Sequence, residues 1–299
     1  MKLIISIFAG LFCSQVIAGI TPWIDFNLEN GHIKVPATVA NIHSNIILDT
    51  GSQINAINRR FLSKNNLSLT KSGRIEVQGI YSTETRATYN NVPVNLFGVD
   101  MKLDKVAELN LGEHTNAALF GRPFFEHFVI QLDYPNSKMR IIDHESINLN
   151  KLKNIKLIKQ RGSGMPIVEI SLKEDKSIWL LLDTGNNGGI VIERNVAKSM
   201  GWLDTLERNS VISTGANSSA VSEDFRVPWI KFGPFELENV LISIPEEGQR
   251  THLVSQHKTT GSRIKGKRVQ GAIGYDVLKH FLITLDYRGG YAHIGLPEE

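Results

Sequence analysis

Apolar and polar positions along this chain alternate in short runs with a period near two, the pattern of strands with one buried face. "WIDFNL" (23–28) alternates, "ENG" supplies a turn, and "HIKVPATVANI" (32–42) reads as the returning strand, with "HSN" as the next connection. The run that follows, "IILDTGSQINAI" (46–57), differs: three apolar residues lead straight into Asp49-Thr50-Gly51. It predicts a buried strand that ends by presenting a carboxylate at a tight glycine turn. Helical spacing is confined to short segments, at "RRFLSK", "PFFEHF", "RNVAKSM" and "DVLKHF". The expected class is therefore all-β with a few single-turn helices.

The pattern then repeats. "LLLDTGNNGGIVI" (180–192) restates the first acid turn with Asp183-Thr184-Gly185. "VPVNLFG" (92–98) returns as "VPWIKFG" (227–233), and "LFGRPFFEHFVIQLDY" (119–134) returns without a gap as "AIGYDVLKHFLITLDY" (272–287). Three matched blocks in one order predict a duplicated domain. The second copy has an extra residue after Gly185, within "NNGG", and a longer insertion, "EEGQRTHLVSQHKTTGSRIKGKRVQ". "NLNKLKNIKLIKQRGSG" (148–164) joins the copies, its Lys-rich part reading as an edge strand with one wet face. The expected organisation is a signal peptide over 1–18 and two lobes over 19–150 and 151–299.

Composition narrows the setting. The chain has 299 residues, 41% apolar and 21% charged, with a net charge of +3. That is an ordinary globular balance, and it lacks the concentrated basic face that nucleic acid demands. Lys2, the apolar run Leu3 to Cys13 and small residues at Val16 and Ala18 predict an export signal cut after Ala18. The apolar run is roughly half of the ~20 residues needed to span a bilayer, and no other run comes close. Cleavage would remove Cys13, the only cysteine, leaving an exported protein, periplasmic or secreted, without disulfides. Lipidation at Cys13 is a weaker reading, since Gly10 stands where a leucine would be expected.

The apolar strand, Asp-Thr-Gly and the later apolar-apolar-Gly block together resemble the aspartic peptidases of the pepsin and retropepsin type. Both copies have both parts: Asp49-Thr50-Gly51 with Leu119-Phe120-Gly121, and Asp183-Thr184-Gly185 with Ala272-Ile273-Gly274. Two lobes in one chain are pepsin-like, while short cysteine-free repeats look more like retroviral peptidases and their bacterial relatives. The resemblance implies two lobes around a central cleft and a monomer acting on peptide or protein substrates without metal or cofactor. It implies a catalytic pair, Asp49 and Asp183, that shares one proton and activates a water, because like charges about 3 Å apart cannot both ionise. Thr50 and Thr184 would tie the turns together, and Gly51 and Gly185 would let backbone approach the carboxyls. Ser52 could steady the outer oxygen of Asp49. Asn186 replaces that hydroxyl in the second copy, where a looser loop is expected. A non-catalytic binder of peptides or envelope ligands on the same fold is the alternative.

Such enzymes close a β-hairpin over the substrate. The first-copy candidate is 76–92, with Gly79 and Tyr81 near its tip, and the second is 211–227. An ordinary exposed hairpin tyrosine accounts equally well for Tyr81. The basic residues Lys258, Arg263, Lys265, Lys267 and Arg268 of the insertion read as a solvated loop before a docking site. His127 and His280 recur without metal-ligand spacing and read as helix-surface or packing residues. Asp133 and Asp286, in the repeated "LDY", read as turn acids. Metalloprotease, nucleophile-elbow and phosphate-loop motifs are missing from the sequence.

Overall fold

A computed structural model describes residues 19–215, 217–249, 251–252 and 266–297. The expected signal peptide with Cys13, and Lys258, Arg263 and Lys265 of the insertion, lie outside the described residues. Strands dominate, and every helix is six residues or shorter among those described. This is the all-β class that the alternation predicts. No helix among the described residues is long and apolar enough to cross a membrane.

Each half of the chain builds one large sheet around the same three-strand core. In the first half, Asn116–Phe120 lies parallel to Ile42–Leu48 and antiparallel to Ala56–Asn58. In the second, Val269–Ile273 lies parallel to Lys176–Leu182 and antiparallel to Ile190–Ile192. The strand entering each acid turn is thus flanked by the strand of the apolar-apolar-Gly block. Leu48 pairs with Phe120 and Leu182 with Ile273, fixing both acids at the same depth. Ile46, Leu48, Leu180 and Leu182 are almost wholly buried. At roughly 1.5–3 kcal/mol for each fully buried large side chain, these strands are the least movable part of the fold.

A third sheet joins the halves. Its order is Ile24–Asp25, Lys138–Ile142, Val129–Asp133, Leu282–Asp286, Tyr291–Gly295. The central pair comes from matched segments of the two copies. Ile130 faces Leu285, Gln131 faces Thr284 and Leu132 faces Ile283, so the register is symmetric about Gln131 and Thr284. Those two polar residues are buried, and the Gln131 amide donates to Thr284 Oγ1 at 2.7 Å. One continuous core, from Phe26 to Ile294, runs through both halves.

Several local expectations are corrected. The chain turns at Ala40–Asn41, both at positive φ, and "HSN" belongs to the strand Ile42–Leu48. Asn tolerates the left-handed region, but alanine gives no hint of it, so the alternation read on through the turn. The joining segment is only partly an edge strand: Leu149–Leu152 is a helical turn, capped by the Asn148 side chain, and the edge strand is Leu157–Lys159. Trp202–Thr205 is a further helical turn that the spacing did not reveal. Asp133 accepts from the backbone and side chain of Asn136, and Asp286 accepts from Gly289 N at 2.7 Å. Both close the turns that follow their strands.

Candidate active site

The two acid turns meet where the halves join. Asp49 N donates to Phe120 O at 3.0 Å and Asp183 N to Ile273 O at 3.1 Å, so each turn hangs from its neighbouring strand. The threonines then cross over. Thr50 N donates to Thr184 Oγ1 and Thr184 N to Thr50 Oγ1, both at 3.0 Å. Each hydroxyl in turn donates across the junction, Thr50 to Leu182 O at 2.6 Å and Thr184 to Leu48 O at 2.9 Å. Both threonines are buried, so every one of these groups would be costly to leave unpaired.

This cross-tie sets the carboxyls side by side. The Asp49 and Asp183 carboxyls are close enough for each to shift the other's proton affinity. The Asp49 carboxyl also lies against the Gly185 backbone, and the Asp183 carboxyl against Gly51. A Cβ at either glycine would fall inside van der Waals distance of the opposite carboxyl. The glycines are needed here for space, since neither has a positive φ. Gly121 and Gly274 are needed for the same reason: a Cβ would strike the Ser52 and Ile54 carbonyls in one case and Asn186 in the other.

The environments of the two acids differ. Asp49 Oδ1 accepts Gly51 N at 2.8 Å, while Asp183 Oδ1 accepts both Gly185 N at 2.9 Å and Asn186 N at 3.1 Å. Burial, and next the Asp183 charge, hold the Asp49 carboxyl well above the ordinary value of 3.8, against the backbone amides of Gly51 and Ser52. Burial raises Asp183 as well, against the backbone amides of Gly185 and Asn186 and the neighbouring Asp49 carboxyl. The pair therefore keeps one proton beyond the usual carboxylate range. Tyr134 lies within reach of the Asp183 charge, buried, with a hydroxyl that finds no hydrogen-bond partner among the described residues. Burial and the Asp183 charge both keep it protonated.

The supporting residues depart from expectation in two ways. The Ser52 hydroxyl donates to Ile54 O at 2.8 Å, turned into its own loop and away from Asp49. The second loop is stitched rather than loose. The Asn186 side chain donates to Gly189 O and accepts from Gly188 N, both at 3.0 Å, and its carbonyl accepts Tyr275 N at 2.8 Å. The next residue, Asn187, packs against Gly31, in the turn between Asn27–Glu29 and His32–Val39.

Two hairpins reach each other at their tips. Gly79 N donates to Ser82 O at 2.8 Å and Gly215 N to Ser218 O at 2.9 Å, forming equivalent tight ends. Asn217 then donates from one side-chain nitrogen to Val77 O at 2.9 Å and Ser82 O at 3.2 Å. Ser218 donates to Ser82 Oγ at 3.0 Å. Gly79 leaves room for the Asn217 amide, and Tyr81 lies against Gly215 of the opposite tip. The sequence marked both hairpins but not their clasp, because Asn217 stands in a small polar tip with no periodic signal. Among the described residues no cluster of three His, Cys, Asp or Glu is placed to hold a metal ion.

Residues 168–277 match the family model described as aspartyl protease, a span that includes Asp183-Thr184-Gly185, the clasping hairpin and Gly274. No curated protein matches the chain. The second half of the chain is thus similar to aspartyl proteases, which supports a peptidase hydrolase at a coarse level.

Proposed function

We propose that the protein is an aspartic endopeptidase of two pepsin- or retropepsin-like lobes, in which Asp49 and Asp183 activate a water against an extended peptide. The observation that bears most weight is the reciprocal Thr50–Thr184 tie, which brings two buried acid turns together at the junction of two matched strand cores. Asp183, with two backbone amides on one oxygen, is the carboxylate that takes a proton from the water as its oxygen attacks the scissile carbonyl carbon. Asp49 gives its proton to the carbonyl oxygen, forming a neutral tetrahedral diol. In the second half of the reaction the proton on Asp183 passes to the amine nitrogen, the C–N bond breaks, and one diol proton returns to Asp49. Neither residue needs a metal or organic cofactor for these transfers. The clasped hairpins favour the reading, since excluding bulk water strengthens each of these interactions.

The N-terminal sequence supports export to the periplasm or beyond, with a bacterial source the best fit. Both complementary acid turns lie in one chain, which supports action as a monomer. The test is hydrolysis of a diverse peptide mixture between about pH 3 and 8, a range spanning the pair's titration. Wild type is compared with Asp49→Asn and Asp183→Asn. Each variant is expected to lose cleavage by at least ~10³-fold, the scale seen when a member of a catalytic unit is removed. Wild type that binds peptides but cuts none would overturn the enzyme reading.

A further inference from the structure

The inner face of the first hairpin holds a guanidinium with unused capacity. Ile75 pairs across the hairpin with Arg86, and Val77 with Glu84, so all four side chains share one face. Ile75 and Val77 pack with Ile47 and Leu119. Ile47 precedes Asp49 by two residues, which places that cluster on the acid side of its sheet. Arg86 therefore projects from the hairpin toward the space between hairpin and acids. Its side chain is 14% exposed. One terminal nitrogen bonds Glu84 Oε2 at 2.6 Å and Asn217 Oδ1 at 3.3 Å. Its Nε is sealed from solvent and finds no partner among the described residues.

An unpaired buried N–H on a cation is costly until some group completes it. The guanidinium offers its donors as a planar fork matched to a carboxylate. Glu84 occupies only one terminal nitrogen and is itself 41% exposed, so it can yield to an incoming acid without being stranded. Apolar Ile75 and Val77 on the same face would pack the methylene stem of that acid. We infer that Arg86 is a specificity-determining residue that receives an aspartate or glutamate side chain of the bound peptide. The inference rests on the peptide-cleft reading above, but it does not require that the cleft be hydrolytic.

The experiment uses the full chain with Asp183→Asn, so that peptides persist, and decapeptide pairs differing only by Glu or Gln at one position. At one position Glu should bind about tenfold better than Gln, a usual size for a paired buried charge. Adding Arg86→Met should reduce that ratio to within about twofold, while Arg86→Lys, which keeps the charge but loses the fork, should fall between. Should Arg86→Met fail to fold, Arg86→Met with Glu84→Gln removes both charges together and is expected to show the same loss. No preference at any position, no peptide bound at all, or a preference that survives loss of Arg86 would each overturn the inference. Cleavage by wild type without acidic preference would sink Arg86 and leave the peptidase reading intact. An Arg86-dependent preference in a protein that cuts nothing would do the reverse.

Discussion

At the scale of single residues, the acid pair is a local liability to the fold. Asp49 has its proton affinity raised by burial and by Asp183, so the folded state binds that proton more tightly than the unfolded chain does. A raised carboxyl contributes stability that is fully present below its unfolded value, near 3.8, and is lost as pH rises through the folded value. Asp49→Asn removes the ionisation without changing the shape. It should raise Tm at pH 7–8 by roughly 2 °C, about 1 kcal/mol, and give no gain near pH 3.5. A variant no more stable than wild type at pH 8, followed by calorimetry, would contradict this. Thr184 behaves oppositely. Thr184→Val strands Thr50 N and Leu48 O in a buried junction, at about 2–5 kcal/mol for the two groups, whereas Thr184→Ser keeps both bonds. Equal urea midpoints for the two variants would show that the tie does not stabilise the fold.

At the scale of elements, the sequence was most legible where side-chain pattern and backbone pairing coincide. The apolar strands ending in Asp-Thr-Gly and the apolar-apolar-Gly blocks were visible because adjacent parallel strands must be buried on both faces. The glycines stood out for a related reason, since each marks a place where another chain segment comes too close for a Cβ. The Ala40–Asn41 turn was hidden, because its backbone conformation is enforced by the pairing around it rather than announced by glycine or proline. Ser52 and Asn186 were misjudged because a hydroxyl or amide can face either the carboxyl or its own loop, and only the loop geometry decides. The clasp between hairpins was invisible for a similar reason: Asn217 reaches the backbone of a segment more than a hundred residues away. Asn217→Ala should free both tips, since Val77 O and Ser82 O lose their side-chain donor while remaining near solvent. Amide exchange over 77–82 and 215–218 should then speed up by about tenfold with little change in the core strands. Unchanged exchange at the tips would show that the Ser82–Ser218 contact alone is enough to hold them.

At the scale of the whole molecule, the sequence boundary near residue 150 separates repeats that the fold does not leave separate. Cross-strand pairs from Ile130–Leu285 to Asp133–Leu282 bind Val129–Asp133 of one half to Leu282–Asp286 of the other. The buried Gln131–Thr284 bond, the threonine tie, Phe125 stacked on Tyr287 at 6.0 Å and Gly31 against Asn187 add contacts of several kinds. All of them cross between halves without passing through the joining segment, where Lys151, Leu152 and Lys153 are exposed. Cutting between Leu152 and Lys153 disturbs one helical turn, whose Lys153 N–Leu149 O bond spans the cut, and otherwise increases the freedom of the unfolded chains. A protease site placed between Leu152 and Lys153 and cut in the folded protein should therefore leave two fragments that co-elute at the mass of the intact chain. They should melt in one transition, at a Tm that now depends on concentration because unfolding has become dissociation. Fragments that separate on a sizing column, or that melt in two steps, would mean that each half is stable alone. In that case the acid pair would owe its geometry to the tether between the halves rather than to the sheet they share.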